Sequence, residues 1–190
     1  MNSLVLLAAD IATQRHFNAL VEASAGARPF AYLSTPITGG QVYLDKLRVH
    51  GFEAMPRFAE YVVSTNTERA GCWAVQAEAT LGPSWSIVNP ACVTVSGWTQ
   101  TQYLDHWISF ITSEVDRLLV APDWPLSAGA VAEVSAWANL GRVAEELGFG
   151  PLDELKIMRR CAAAARLLRT SGDESQARKI ELAGDPKGAK

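Results

Sequence analysis

Hydrophobic residues form two kinds of pattern along the chain, and the two kinds alternate. Short apolar runs bounded by turn residues predict strands at residues 29–34, 85–89 and 117–121. Apolar residues at helical spacing predict helices at residues 42–49, 67–81, 101–115, 128 to about 147, and 152–168. Strands that alternate with helices are typical of a parallel sheet covered by helices, so the pattern predicts an α/β fold.

The two ends of the chain differ in pattern from its middle. Residues 1–27 predict a helical arm, and residues 28–150 carry the α/β pattern. Glycines and a proline at 148–151 predict a break, so residues 151–190 should form a last helix and a polar tail that is frayed beyond Ser171. The apolar run at residues 4–9 is too short to span a bilayer and follows no basic residue. We therefore expect a cytoplasmic protein without a membrane partner.

Composition narrows the class of protein further. Hydrophobic residues make up 48% of the 190-residue chain and charged residues 19%, which indicates a globular rather than a disordered protein. A net charge of -3 argues against binding to a nucleic-acid polymer through its phosphates. The 3 cysteines and 3 histidines are dispersed without metal-ligand spacing. We therefore expect buried free thiols, no metal ion and no other cofactor.

The segment at residues 116–133 carries the most specific chemistry in the chain. A buried strand is followed by a loop opened by Pro122 and Pro125, and Ser127 then stands where a helix N-cap belongs. The backbone N–H groups at such a helix start bind anions. Glu133 follows in the second helical turn, and helical side chains lean toward the N-terminus. We expect the anion site and this carboxylate to face one crevice at the carboxyl end of the strand.

Three sequence blocks occur in a recognisable order. They are residues 32–40 (YLSTPITGG), Asn89–Pro90, and residues 116–133. Together they resemble the nucleoside 2-deoxyribosyltransferase superfamily, including its nucleotide N-glycosidases, over residues 30–147. The resemblance implies a flavodoxin-like three-layer sandwich with a mostly parallel central sheet, and cleavage of an N-glycosidic bond. It also implies a homo-oligomer, for which we expect a dimer.

The resemblance gives Glu133 and Ser127 separate roles. Glu133 is implied to face the anomeric carbon of the sugar, as nucleophile or as stabiliser of the oxocarbenium ion. Six residues earlier, members that act on free nucleosides carry an aspartate, and Ser127 stands there as in members that act on 5′-monophosphates. A hydroxyl at a helix N-terminus donates to a phosphate, whereas a second carboxylate would repel it. We therefore expect a nucleoside 5′-monophosphate as substrate, with modified pyrimidine nucleotides among the candidates.

The remaining candidate residues come from the same blocks and from the loops beside them. Tyr32 matches the family tyrosine near the reacting sugar, and Asp105 is the nearest match to an aspartate on the helix before the third strand. Both join Glu133 as catalytic candidates. The expected substrate-binding residues are Ser127, Gly129, Ala130, Thr35, Thr38, Gly39, Gly40, Asn89, Trp98, Asp123 and Trp124, the two tryptophans as stacking surfaces for the base.

Other interpretations of these residues stay open. Glu133 could be an early-helix carboxylate favoured by the helix dipole, and Ser127 only an N-cap. Asp116 fits a strand start better than catalysis, and a packed indole is the commoner fate of a tryptophan. Pro36 and Thr38 stand where nucleotide hydrolases carry a serine and an arginine. This difference favours a non-catalytic nucleotide-binding or signal-sensing module as the alternative. Hydrolysis or base transfer, and monophosphate or free nucleoside, also stay open.

Overall fold

The computed structural model describes residues 29–93, 95 and 97–184. A five-stranded sheet lies at the centre of this part of the chain. Its strands are β1 (Phe30–Ser34), β2 (Ser86–Val88), β3 (Arg117–Val120), β4 (Ala144–Glu146) and β5 (Gly150–Leu152). They lie in the order β2-β1-β3-β4-β5, and only the β4–β5 pair is antiparallel. The expected α/β fold with a mostly parallel sheet is confirmed.

Helices connect the strands, and short-range signals set their ends. The α-helices in the described residues are α1 (Gly40–His50), α2 (Ala59–Leu81), α3 (Gln100–Glu114), α4 (Ala128–Asn139), α5 (Glu154–Thr170) and α6 (Glu174–Ala183). Gly51 and Gly82 end α1 and α2 with φ of 74° and 77°, a region that favours glycine. Thr99 starts α3 with a capping box to Gln102. The helix α2 begins at Ala59, two turns before the predicted start at residue 67, after a 3-10 helix at Phe52–Phe58.

Alternate residues of the strands belong to two separate hydrophobic clusters. Tyr32, Leu118 and Val120 lie in the larger cluster, with side chains from α3, α4, α5 and α6. Ala31, Leu33 and Leu119 lie in the smaller cluster, with Ala77 of α2. Successive strand residues point to opposite faces, so both faces of the central strands are covered. This burial on both faces explains why β1 and β3 are continuous apolar runs.

The segment after α4 corrects one prediction. The helix expected to reach about residue 147 ends at Asn139, and Gly141 follows with φ of 71°. Residues 144–152 instead form the antiparallel pair β4–β5. Glutamates at 145 and 146 favour a helix by intrinsic propensity, but tertiary ion pairs accommodate them in a strand. Glu145 pairs with Arg117 of β3 at 2.6 Å, and Glu146 pairs with Arg160 of α5 at 2.6 Å.

The expected fraying beyond Ser171 is also wrong for the described part of the tail, which ends at residue 184. Residues 174–183 form α6, capped by Asp173, whose Oδ1 accepts a hydrogen bond from the N–H of Gln176. Ala177 and Ile180 of this helix are completely buried in the larger cluster, and the Tyr43 hydroxyl donates to Asp173 Oδ2 at 2.6 Å. The two buried side chains and this hydrogen bond attach a mostly polar helix to the rest of the fold. The predicted N-terminal arm, residues 1–27, lies outside the described residues.

The cysteines are free, as expected, but only one of them is buried. Burial raises the pKa of Cys161 on α5 to about 12. Cys72 and Cys92 are exposed because they lie on the outer side of α2 and on the turn after β2. None of the helices in the described residues has the length and apolar character needed to cross a bilayer.

Candidate active site

Glu133 is fixed by two hydroxyl groups from β1. The Tyr32 hydroxyl donates to Glu133 Oε1 at 2.8 Å, and the Ser34 hydroxyl donates to Oε2 at 2.6 Å. Glu133 is 8% exposed, and both donors are completely buried. Each carboxylate oxygen therefore has one neutral donor, and the side chain is held in one orientation.

The elements that carry these residues explain the arrangement. Tyr32 and Ser34 are two positions apart on a strand, so both point to the same face of the sheet. The helix α4 packs on that face, with Ser127 as its N-cap and Glu133 in its second turn. The Tyr32 ring also lies against Trp107 of α3, with ring centroids 5.6 Å apart. Aromatic packing and helix docking thus fix the donor and the acceptor independently.

The electrostatics of Glu133 follow from its burial. Burial raises its pKa to about 7, and the hydrogen bonds from Ser34 and Tyr32 only partly oppose this. Burial and the neighbouring carboxylate raise the pKa of Tyr32 well above its ordinary value. Among the ion pairs found in residues 29–184, apart from positions 94 and 96, none involves Glu133. A buried carboxylate without a cation is costly, and such groups occur more often at functional sites than elsewhere.

The site lies where the winding of the sheet reverses. The chain leaves β1 toward β2 on one side, and β3 pairs with β1 on the other side. In open α/β sheets, ligands bind at such a switch point, outside the carboxyl ends of the strands. Ser34 is the last residue of β1, and the loop after β3 leads directly to Ser127 and α4. Glu133 therefore lies beside the expected binding crevice.

The glycine loop closes tightly against the start of α4. A Cβ at Gly39 would lie 2.7 Å from the carbonyl oxygen of Leu126 and 3.2 Å from the Cα of Ser127. Ser127 accepts a hydrogen bond from the N–H of Ala130 at 3.4 Å, so its predicted N-cap role is confirmed. Beyond Ser127, a Cβ at Gly129 would meet its nearest atom only at 3.9 Å. The first turn of α4 is thus open at Gly129 and covered at Ser127.

Asp123 holds the other side of the glycine loop. Its Oδ2 accepts hydrogen bonds from the N–H of Gln41 at 2.9 Å and from the Arg69 guanidinium at 3.1 Å. A Cβ at Gly40 would lie 2.9 Å from the same oxygen, and Gly40 has φ of 77°. Only glycine fits this position without strain. Asp123 is therefore a structural anchor at the start of α1 as well as a lining residue of a shallow hollow.

Several residues around the loop were not predicted as site residues. Asn66 on α2 donates to the carbonyl oxygens of Ile37 and Gly39 at 2.9 and 2.8 Å, and Arg69 follows one turn later. Their three-residue spacing on one helix is a signal for a common face. Ser34 was recoverable from its position two residues after Tyr32 on a predicted strand. Asn66 binds the glycine loop and Arg69 binds Asp123. Tertiary packing brings these partners together, and the sequence contains no local signal for it.

The remaining predicted residues lie at different distances from the Glu133 network. Thr35 is buried beside Ser34, whereas Thr38 is exposed. Asn89 contacts the α2 backbone, donating to the carbonyl oxygen of Ala70 at 3.3 Å. Trp124 is completely buried in the larger cluster, the packed environment that its structural interpretation expects. Trp98 packs against Tyr103, with ring centroids 5.2 Å apart.

Two aspartates that precede β3 in the sequence take no part in the hydrogen bonds of Glu133 in the described residues. Asp105 is on the exposed side of α3, two residues from the buried Trp107 that packs on Tyr32. The Asp116 carboxylate accepts a hydrogen bond from the N–H of Phe30 at 2.9 Å, at the opposite end of β1 from Ser34. This contact fits the structural interpretation of Asp116. The catalytic assignment of Asp105 stays a prediction.

Comparison with known proteins adds no identification: no protein-family model, curated protein or solved structure matches the chain. In the described part of the chain, no cluster of three or more histidine, cysteine or acidic residues has the geometry for a metal ion. The conclusions about function therefore depend on the geometry around Glu133.

Proposed function

We propose that the protein is an enzyme that cleaves the N-glycosidic bond of a nucleoside 5′-monophosphate. The observation that carries the proposal is the Glu133 carboxylate, held by Tyr32 and Ser34 at 2.8 and 2.6 Å without an ion-pair partner among the described residues. A buried carboxylate without an ion-pair partner is stabilised when a positive charge forms beside it. A developing oxocarbenium ion at C1′ of the substrate supplies that charge.

The chemistry requires a fixed carboxylate close to the anomeric carbon. As the bond from C1′ to the base nitrogen breaks, its electron pair leaves with the base, and C1′ becomes electron-deficient. Glu133 either stabilises this cation or forms a covalent ester with C1′, which water or a second base then displaces. The departing base takes up a proton from water, and the water or second base that attacks C1′ releases one, so the protons balance. The hydroxyls of Tyr32 and Ser34 hold the carboxylate for this role and keep it from rotating away.

We infer that the arrangement of layers is flavodoxin-like. The strand order β2-β1-β3-β4-β5 is the order of that doubly wound class, in which the β1/β3 switch point binds the ligand. The two clusters on opposite faces of the central strands support three layers. The antiparallel β5 departs from an all-parallel sheet, at an edge away from β1.

The proposed place for the 5′-phosphate is the open first turn of α4. The backbone N–H groups of Ala128 and Gly129 have no hydrogen-bond role inside the helix, because they belong to its first turn. The lack of a side chain at Gly129 leaves room for an anion to approach them. Ser127 contributes the helix cap and a hydroxyl nearby. A homodimer and a cytoplasmic location stay predictions.

The alternative is a nucleotide-binding module without turnover. One observation favours it: Glu133 is 8% exposed, and each of its oxygens already accepts a hydrogen bond. In this case the protonated or charged carboxylate would tie α4 to β1 and have no chemical role. The two functions share a ligand but differ in its fate.

A screen for released base separates the two functions. Purified protein is incubated with natural and modified nucleoside 5′-monophosphates and with the matching nucleosides, and free base is measured by chromatography. The enzyme predicts release from at least one monophosphate in preference to its nucleoside. Calorimetry that finds tight binding across the same panel without any released base would support the binding module instead.

A further inference from the structure

A hollow beside the glycine loop holds polar groups that the Glu133 network does not use. It is lined by Thr35, Asn66, Arg69, Trp73 and Asp123, with Ala70 at its wall. Thr35 directly follows Ser34, the residue that donates to Glu133. The hollow and Glu133 therefore flank the same carboxyl end of β1. The hollow is shallow and open to solvent, with about 150 Å³ of empty space, so it can take the edge of a ligand and does not enclose one.

The hydroxyl of Thr35 is the first feature that favours a ligand at this hollow. Thr35 is 7% exposed, and its Oγ1 has no hydrogen-bond partner among the described residues. Leaving a buried hydroxyl without a partner costs about 1–3 kcal/mol, so most such groups are satisfied. A valine would fill the same volume without that cost. A threonine here is explained if a bound molecule supplies the partner.

The pair formed by Arg69 and Asp123 supplies the second sign. Both hydrogen bonds to Asp123 end on Oδ2, which leaves Oδ1 to accept from a ligand. Arg69 uses one guanidinium nitrogen for Asp123, and its side chain is 35% exposed, so further N–H groups are free to donate. The pair is neutral overall and offers an acceptor beside donors. This pattern disfavours a phosphate, which the carboxylate would repel, and suits a neutral group with an N–H next to an acceptor atom.

We propose that this hollow binds the hydrogen-bonding edge of the nucleobase. In this pose, which rests on the proposed function, Asp123 accepts from an N–H or amino group of the base. Arg69 donates to the adjacent ring nitrogen or carbonyl oxygen, as such side chains do when they recognise bases elsewhere. Thr35 bonds a further polar atom of the base, and Trp73 with Ala70 provides the apolar wall. The sugar then lies across the end of β1 toward Glu133, and the phosphate lies toward α4.

Binding measurements on a variant without turnover test the subsite. In a Glu133→Gln background, dissociation constants are measured by calorimetry for the 5′-monophosphates of cytidine, uridine, adenosine and guanosine, and for ribose 5-phosphate. Thr35→Val and Arg69→Gln are each added to this background. The matched controls are Thr80→Val and Arg48→Gln, both on exposed helix positions away from the hollow.

The expected result separates the base from the rest of the nucleotide. Thr35→Val and Arg69→Gln should weaken the tightest-binding monophosphate about tenfold or more, the loss of one to two hydrogen bonds to a polar ligand. Binding of ribose 5-phosphate should stay within about twofold, because it has no base. Thr35→Val should leave the melting temperature unchanged or raise it, since it removes an unpartnered hydroxyl.

Three results would overturn the subsite. Equal weakening for the monophosphate and for ribose 5-phosphate would place the sugar or the phosphate in the hollow. Unchanged binding of both would make the hollow a packing defect. Equal affinity of the parent variant for the monophosphates and for ribose 5-phosphate would show that the base is not recognised. Base-dependent binding through Thr35 and Arg69, in a protein whose wild type releases no base, would keep the subsite and reject the glycosidase.

Discussion

The Ser34 hydroxyl donates to Glu133 Oε2 at 2.6 Å, across 99 residues of sequence. The Tyr32 hydroxyl donates to Oε1, so the two hydrogen bonds together prevent the carboxylate group from rotating. Ser34 ends β1 and Glu133 lies in the second turn of α4, so the contact joins the two elements that border the switch point. The position of the carboxylate is thus a property of the fold and does not depend on a mobile loop.

Tyr32→Phe is expected to lower kcat/KM for base release by about 10- to 100-fold. A hydrogen bond to a charged group contributes about 1.5–3 kcal/mol, and this one is aimed at the reacting carboxylate. Tyr43→Phe is the matched control, because its hydroxyl donates to Asp173 at 2.6 Å at the start of α6. Steady-state kinetics of both variants should show the loss only for Tyr32→Phe. Equal activity of the two variants would remove Tyr32 from the mechanism.

Ser34→Ala is expected to shift the pH dependence of kcat/KM to higher pH. The Ser34 hydroxyl lowers the pKa of Glu133, which burial nevertheless raises to about 7, so removal of this hydroxyl should raise that pKa further. An ionised Glu133 is needed to meet the oxocarbenium ion, and kcat/KM should therefore rise with pH to a later plateau. Measured between pH 5 and pH 9, the variant should recover much of its activity at the alkaline end. A profile of wild-type shape with a uniform loss would contradict this.

Glu133→Gln is expected to make the protein more stable above neutral pH. The folded pKa of about 7 lies above the ordinary 4.5, so the folded state holds the proton more tightly than the unfolded state. This contribution to stability is complete below pH 4.5 and is lost as the pH rises toward 7. At pH 8 the variant should exceed the wild type by on the order of 3 kcal/mol, and near pH 4 the two should be comparable.

Urea unfolding across this pH range measures the difference between the two proteins. The raised pKa of Glu146 contributes equally to both and cancels. A gap that does not change with pH would mean that Glu133 is not strained by burial. A stabilised but inactive variant would fit a carboxylate retained for its chemistry at a cost in stability.

Gly39→Ala is expected to destabilise the protein and weaken substrate binding. Its new Cβ would lie 2.7 Å from the Leu126 carbonyl oxygen, and backbone on both sides would have to move, at a cost of about 1–3 kcal/mol. Gly71→Ala is the control, since no atom lies within 4 Å of its Cβ position in α2, and alanine there should gain about 1 kcal/mol. Thermal unfolding should shift in opposite directions for the two variants, whereas KM should rise for Gly39→Ala and stay unchanged for Gly71→Ala. A Gly39→Ala variant with wild-type stability and KM would contradict the tight closure of the loop on α4.

The parts of the fold that the sequence predicts are those set by local signals. The strands β1 and β3 are apolar runs because they are buried on both faces, and Ser127 is a helix cap by residue type and position. The strands β4 and β5 have three residues each, and the glutamates of β4 are accommodated by Arg117 and Arg160. Ion pairs between residues this far apart in sequence have no local sequence pattern that predicts them.

The candidate site also contains residues that the sequence predicts and residues that only tertiary packing brings together. Glu133 and Tyr32 were expected together, and the structure joins them by a hydrogen bond. Strand alternation also places Ser34 on the same face as Tyr32, although Ser34 is not among the residues that the sequence predicts for the site. The sequence does not predict the pairing of Arg69 with Asp123, because the two residues are 54 positions apart. The pair forms where α2 packs beside the loop after β3. The exposed position of Asp105 depends on the rotation of α3, which its hydrophobic pattern fixes only to within a residue or two.

Single-turnover measurement of base release by Glu133→Gln tests the central claim most directly. Calorimetry should show that the variant still binds a nucleoside 5′-monophosphate with an affinity within about threefold of the wild type. Release of base should fall by on the order of 10³-fold or more, while Glu114→Gln, at an exposed position at the end of α3, should match the wild type. Undiminished release by Glu133→Gln would contradict the assignment of this carboxylate to the reaction.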